Sequence, residues 1–92
     1  MTSRPESPES ALRCEELAGL LAARGEIDDA TELYERAVAI KRQVLGPRHP
    51  DLARTLHDLA LLQQSSGLVE EAGALWAEAR RILDSSAEQH DA

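Results

Sequence analysis

The sequence predicts an all-α protein made of two tandem helical hairpins. Ala and Leu supply most of its 42% apolar content, while Phe is absent and only Tyr34 and Trp76 are aromatic, so residues that favour β-strands are scarce. A shift of 42 positions aligns residues 5–42 with 47–84 and yields eleven identical pairs, including two prolines and a glycine in register. With 92 residues the chain can support one small core. These observations predict four antiparallel helices around that core.

The first hairpin is predicted over residues 8–45, after a tail and weak linker over 1–7. Its first helix should run from about 8 to 24 and end at Gly25, because glycine suits the position after a helix end, where φ is often positive. Its second helix should run from about 27 to 45. Asp28 and Asp29 lie in the first turn of that helix, where the helix dipole favours acidic side chains.

The stretch "VLGPRHPDLARTL", residues 44–56, is predicted to contain the linker to the second hairpin, over 46–49. Gly46 ends a helix, Pro47 prevents its continuation, His49 is placed to cap the next helix and Pro50 suits the first helical turn. The alternative is a reactive His/Asp pair, but one His without a second nitrogen or sulfur ligand nearby is not a metal site. The second hairpin should span 50–84, with helices at about 50–66 and 69–84 around Gly67. Residues 85–92 are expected to form a tail, frayed after Ser86.

Apolar residues at helical spacing mark the core face of each second helix, and most charged residues are expected on solvated faces. Cys14 is predicted to be a small buried apolar residue. The core face consists of Ala30, Leu33, Ala37 and Ile40, repeated in Ala72, Leu75, Ala79 and Ile82. The solvated set is Glu32, Glu35, Arg36, Lys41, Arg42, Glu78, Arg80 and Arg81.

Composition and charge exclude several function classes. A net charge of -7 argues against nucleic-acid binding, and no apolar run suits a signal peptide or a membrane span. One cysteine permits no intrachain disulfide and fits a reducing compartment, so we expect a cytoplasmic protein. No catalytic or cofactor motif occurs, and the neighbours His57 and Asp58 would point about 100° apart on a helix. We expect no enzyme, no metal and no cofactor; a site assembled across a dimer is the remaining alternative.

The segments "LAGLLAARGEIDDATELYERAVAIKRQVLGPRHPD" and "TLHDLALLQQSSGLVEEAGALWAEARRIL" resemble the tetratricopeptide repeat, in the 42-residue form found in kinesin light chains. The small and apolar positions of that pattern fall on Leu17-Ala18, Ala30, Tyr34 and Ala37, and on Leu59-Ala60, Ala72, Trp76 and Ala79. The resemblance implies a short right-handed solenoid and a protein-protein interaction module. Its inner face, made by the first helix of each hairpin, would receive a peptide or helix.

The resemblance also implies which residues line that inner groove. They are Leu12, Glu15, Glu16, Gly19 and Ala23 from the first hairpin, and Arg54, His57, Asp58, Leu61, Gln64 and Ser65 from the second. The paired asparagines that hold a peptide backbone in the long form are replaced here by Glu15-Glu16 and His57-Asp58. Three carboxylates against one arginine predict a basic peptide as the ligand.

The second interpretation is a structural module that self-associates. Repeat arrays generally need about three units to be stable. Tyr34, Val38 and Lys41 should be covered by the second hairpin, whereas their counterparts at Trp76 and Leu83 would lie exposed. We therefore expect a homodimer in which two last helices pair around Trp76 and Leu83; the alternative is that Trp76 packs inward within its own hairpin.

Overall fold

The computed structural model describes the backbone of residues 6–90 and the side chains of residues 6–85. Four helices follow one another: α1 (Pro8–Ala23), α2 (Ile27–Val44), α3 (Pro50–Ser65) and α4 (Val69–His90). α1 packs against α2, α3 packs against α4, and α2 joins the two hairpins by packing against α3. The described part of the chain contains no strand. The predicted all-α fold of two tandem helical hairpins is confirmed.

Side-chain caps define where α1 and α3 begin. Ser7 Oγ accepts a hydrogen bond of 3.2 Å from the Ser10 N–H, and His49 Nδ1 accepts one of 3.0 Å from the Asp51 N–H. Ser7 and His49 are 42 positions apart, so both hairpins start with the same device, each followed by proline in the first turn. The predicted capping role of His49 is confirmed.

Glycine ends α1 and α3 in the same way. Gly25 and Gly67 have φ of 83° and 87°, a region in which other residues are strained. At the first end the Glu26 N–H donates to the Leu21 carbonyl and the Gly25 N–H donates to the Ala22 carbonyl. The same two bonds recur after α3, and both ends are Schellman motifs.

The helix α4 is longer than predicted. It continues to His90, whereas the sequence pattern placed its end near residue 84 and a tail over 85–92. The segment after Asp84 contains no glycine or proline, and Ala87, Glu88 and Gln89 are good helix formers. The apolar periodicity stops near residue 84, but intrinsic propensity carries the helix further. The predicted tail residues 91–92 and 1–5 lie outside the described residues.

Among the described side chains, the buried apolar residues form one cluster inside the first hairpin and two clusters that span both hairpins. Ala11, Ala37 and Ile40 fill the first hairpin, where Cys14 is half-buried at their edge. Between the hairpins, Val38 of α2 shares a cluster with the α3 and α4 side chains Leu52, Leu56, Leu59, Ala79 and Ile82. The predicted covering of Tyr34, Val38 and Lys41 by the second hairpin agrees with this packing.

Lys41 is buried, although the sequence analysis placed it among the charged residues on solvated helix faces. It is 5% exposed, because α3 lies over it, and its Nζ is 2.9 Å from Glu15 Oε2. The two groups form an ion pair, but the angles at this contact do not meet hydrogen-bond geometry. Arg42 pairs with Glu78 across the two hairpins. The junction between the hairpins therefore gives both cations defined partners, Lys41 in its interior and Arg42 at its exposed edge.

Candidate functional site

The predicted groove residues all lie on α1 and α3, and we call the line along which these two helices meet the seam. The two helices are linked there by Thr55 Oγ1, which donates a 3.0 Å hydrogen bond to Glu15 Oε1, and by Leu62, which packs with Ala18. A pocket lies near each end of the seam. The one near the helix starts is lined by Pro8, Glu9, Leu12, Glu15, Lys41, Leu45, Asp51 and Arg54, and has a volume of about 360 Å³.

The second pocket, called here the Asp58 pocket, lies towards the helix ends and has a volume of about 320 Å³. Its lining residues are Ala22, Tyr34, Asp58, Leu61, Leu62 and Ser65. Gly19 adjoins it, since a Cβ at that position would lie 3.8 Å from the Tyr34 hydroxyl. Apolar walls therefore surround one carboxyl group and lie next to one phenol hydroxyl.

The electrostatics of this pocket are set by burial and by neighbouring carboxylates. Burial raises the pKa of Asp58 above its ordinary value of 3.8, and Glu15 raises it further, whereas His57, Arg54 and Lys41 lower it. Burial also raises the pKa of Tyr34, with Asp58 and Glu15 adding to the effect. Both shifts have the sign expected of a site that disfavours negative charge, at the Asp58 carboxyl group and at the Tyr34 phenol. A cation brought into the pocket would offset the charge of the Asp58 carboxylate.

The Glu15 carboxylate is not free to serve as a groove anion. Its side chain is 11% exposed and is held by Lys41 and Thr55. Lys41 therefore neutralises Glu15 inside the seam, which leaves two of the three predicted groove carboxylates without a buried cation beside them. Glu16 and Asp58 remain as the anionic residues, with Glu16 exposed and Asp58 half-buried.

The other predicted groove residues divide into those that line a pocket and those that do not. Leu12 and Arg54 line the first pocket, and Leu61 and Ser65 line the Asp58 pocket. The rest are exposed and line neither pocket; they are Glu16, Gly19, Ala23, His57 and Gln64. Six of the eleven predicted groove residues therefore line one of two separate depressions, and the other five do not.

The predicted self-association residues differ in exposure. Trp76 is half-buried, and its ring centroid lies 6.4 Å from that of His57 at an interplanar angle of 52°. This places Trp76 partly against α3 of its own hairpin. Leu83 is exposed.

Three residues of the seam were not among the predicted groove residues: Tyr34, Lys41 and Thr55. Tyr34 was placed only in the stacking face, yet its hydroxyl reaches towards α1 beside Gly19. The glycine opposite a tyrosine was the available signal, because a residue without a side chain leaves room for the ring. For Lys41 the signal was the repeat alignment, which pairs it with the apolar Leu83. Thr55 gave no signal, since only its burial in the structure distinguishes it from other polar residues.

Other surface features carry less chemistry. A depression of about 630 Å³ is lined by Leu21, Asp29, Glu32, Leu33, Glu35 and Arg36, and contains none of the predicted groove residues. Within residues 6–85 no three His, Cys, Asp or Glu side chains cluster as a metal site would require. Among the described helices, none combines the length and apolar character needed to cross a membrane.

Comparison with known proteins identifies the repeat. No curated protein sequence matches the chain. The family model described as tetratricopeptide repeat matches residues 9–85, a span that runs from the first turn of α1 far into α4. Modules of this family are generally protein-protein interaction units. The match covers most of the chain and agrees with its paired hairpins, and the chain therefore belongs to the tetratricopeptide repeat family.

Proposed function

We propose that the chain is a non-catalytic adaptor that binds a peptide or helix of a protein partner along the α1–α3 seam. Residues 8–45 and 50–84 act as its two repeat units, and their 42-residue spacing supports placing them with the long form found in kinesin light chains. The lone cysteine supports a cytoplasmic setting. No cofactor takes part.

One observation carries the choice of ligand: the half-buried Asp58 carboxylate, whose pKa is raised, lies between the apolar side chains of Leu61, Leu62 and Ala22. An arginine or lysine of a partner would pair with Asp58 while its aliphatic stem contacts the leucines. The exposed Glu16 would add attraction at longer range. The favoured ligand is a basic segment with an apolar neighbour.

The same pairing predicts how binding depends on pH. Because the pKa of Asp58 is raised above 3.8, its carboxylate forms only as pH rises through that higher value. Affinity for a basic segment should therefore increase with pH across this interval. The Asp58→Asn variant should bind weakly and without this increase.

A random peptide library displayed on phage is the probe for this proposal. Selection on the wild-type chain should enrich Arg or Lys beside an apolar residue, and selection on Glu16→Lys/Asp58→Lys should lose that enrichment. The control is Glu35→Lys, an exposed position on α2 outside both seam pockets. A selected peptide is then synthesised and titrated by fluorescence anisotropy across pH and salt. If Glu16→Lys/Asp58→Lys binds that peptide as wild type does, with the same salt dependence, the groove proposal is wrong.

A second candidate function is self-association through α4, as a homodimer around Trp76 and Leu83. The observation that favours it is Leu83, which is exposed although its counterpart Lys41 is buried. Leu83→Glu should keep the chain monomeric in light scattering after size exclusion, whereas wild type should shift in mass with concentration. A wild type that stays monomeric would reject this candidate.

A further inference from the structure

Equivalent residues of α1 and α3 differ sharply in burial on one face. Leu62 of α3 is 8% exposed, but its equivalent Leu20 of α1 is 64% exposed. Leu59 and Leu17 differ in the same way. The α3 leucines are buried in the junction with the first hairpin, whereas no described residue covers those of α1. We call Arg13, Leu17 and Leu20 the head face.

Equivalent residues of α2 and α4 differ on the opposite side of the molecule. Lys41 of α2 is 5% exposed, but its equivalent Leu83 of α4 is 52% exposed. Val38 is buried, whereas Arg80 in the same position of α4 is exposed. The α2 residues are covered by α3, and within residues 6–85 nothing covers those of α4. We call Trp76, Arg80 and Leu83 the tail face.

The junction inside the chain is a contact between the equivalents of these two faces. Tyr34 and Val38 of α2 share a cluster with Leu59 of α3, and Tyr34 also packs with Leu62. We propose that the tail face of one copy binds the head face of a second copy and repeats this junction, so that copies associate head to tail. This goes beyond the groove function, because no proposed groove residue belongs to either face.

Charge complementarity supports a second copy as the occupant. Within the chain, Arg42 of α2 pairs with Glu78 of α4 across the junction. Their equivalents, 42 positions away, are Asp84 on the tail side and Arg36 on the head side. Stacking of two copies would therefore bring Asp84 of one towards Arg36 of the other, an ion pair of reversed polarity. Both side chains are exposed, and among the described side chains Arg36 has one charged partner, the exposed Glu6.

The same residues disfavour a two-fold pairing of α4 with itself. An antiparallel pair centred between Trp76 and Leu83 would oppose the two Arg80 side chains, and like charges at that spacing repel. In head-to-tail stacking Arg80 takes the place of Val38. Its aliphatic stem can then cover apolar surface while the guanidinium stays in water.

Sedimentation velocity of single variants and of their mixture tests the arrangement. The variants are Leu20→Glu, which blocks the head, and Leu83→Glu, which blocks the tail; both side chains are exposed, so folding should persist. Each variant alone should associate at least roughly tenfold more weakly than wild type, as expected when a charge replaces a leucine that would be buried. Mixed together they should form a one-to-one dimer, because one keeps its tail and the other keeps its head. Leu68→Glu is the control, since its equivalent is the exposed Glu26.

The outcomes separate the possible assemblies. Two-fold pairing would leave Leu20→Glu as associated as wild type, and the mixture would then contain dimers of Leu20→Glu beside monomeric Leu83→Glu; that result would overturn the proposal. A wild type that remains monomeric from micromolar to millimolar concentration would overturn it too. In support, Asp84→Arg should weaken association and Arg36→Asp in the same chain should restore it. If Arg36→Asp does not restore association, the register that places Asp84 beside Arg36 is wrong. None of these outcomes would change the peptides selected by the seam, so the groove proposal is tested separately.

Discussion

The contribution of the buried Lys41–Glu15 ion pair to the free energy of unfolding can be measured by substitution. Replacing Lys41 with Met keeps most of the side-chain volume but leaves the Glu15 carboxylate 11% exposed with no cation. Removing one member of a buried ion pair typically costs about 3–5 kcal/mol in the free energy of unfolding. For a domain of this size each kcal/mol corresponds to about 4–8 °C, so the melting temperature should fall by roughly 12 °C or more.

A double variant separates the lost attraction from the stranded charge. Lys41→Met with Glu15→Leu removes both charges, and apolar replacement of both partners is often close to neutral. Thr55 Oγ1 would lose its contact with Glu15 but would retain the Asp51 carbonyl at 3.2 Å as an acceptor. The second hairpin has Leu83 at the position of Lys41, so a leucine-type side chain is compatible with this helix. The double variant should therefore recover most of the stability lost in Lys41→Met.

Urea unfolding followed by far-ultraviolet circular dichroism measures these differences. The control is Arg24→Met, which breaks an exposed 3.3 Å contact with Glu26 and should change stability by less than about 0.5 kcal/mol. If Lys41→Met costs no more than this control, the ion pair does not contribute the stability assigned to it. A double variant as unstable as the single one would contradict the prediction too, because the cost would then come from packing.

The remaining predictions concern glycine and a buried amide. Gly25→Ala should lower the free energy of unfolding by about 1–2 kcal/mol, because φ at this position is 83°. Gly73→Ala inside α4 should raise it by roughly 0.5–1 kcal/mol, because an added Cβ meets no atom within 4 Å. Equal effects of the two substitutions in thermal melts would contradict this. Gln63→Leu should raise the free energy of unfolding by about 1 kcal/mol, because the Gln63 Oε1 is buried with no hydrogen-bond partner among the described residues, and Leu21 holds the equivalent position in α1. Urea titration checks this, with the exposed Gln64→Leu as control; a loss of stability would show that the amide is needed.

Local signals and the internal repeat account for the parts of the fold that were predicted. Caps, prolines and glycines act over a few residues, which is why the starts of α1 and α3 and the positive φ of Gly25 and Gly67 could be read directly. The end of α4 could not, because apolar periodicity stops before helix propensity does.

The seam shows where such reading fails. The pairing of Lys41 with Glu15 could not be predicted, because buried and exposed charged residues look alike in the sequence. The distance between the two side chains depends on how three helices meet. The repeat alignment contained part of the answer, because it opposes Lys41 to Leu83 and so marks the position as one that a neighbour covers. The Asp58 pocket needed the orientation of the Tyr34 ring, which no sequence spacing specifies.

Tyr34 lies in the lining of the Asp58 pocket and also packs in both apolar clusters that hold the two hairpins together. Occupancy of that pocket and cohesion of the hairpins are therefore thermodynamically linked. Any ligand that binds more tightly when the Tyr34 ring is in place must stabilise the contact of α2 with α3 by the same free energy. Conversely, a change that loosens the contact of α2 with α3 must lower the affinity for such a ligand. Ligand binding in this pocket would therefore depend on how firmly the two hairpins pack together.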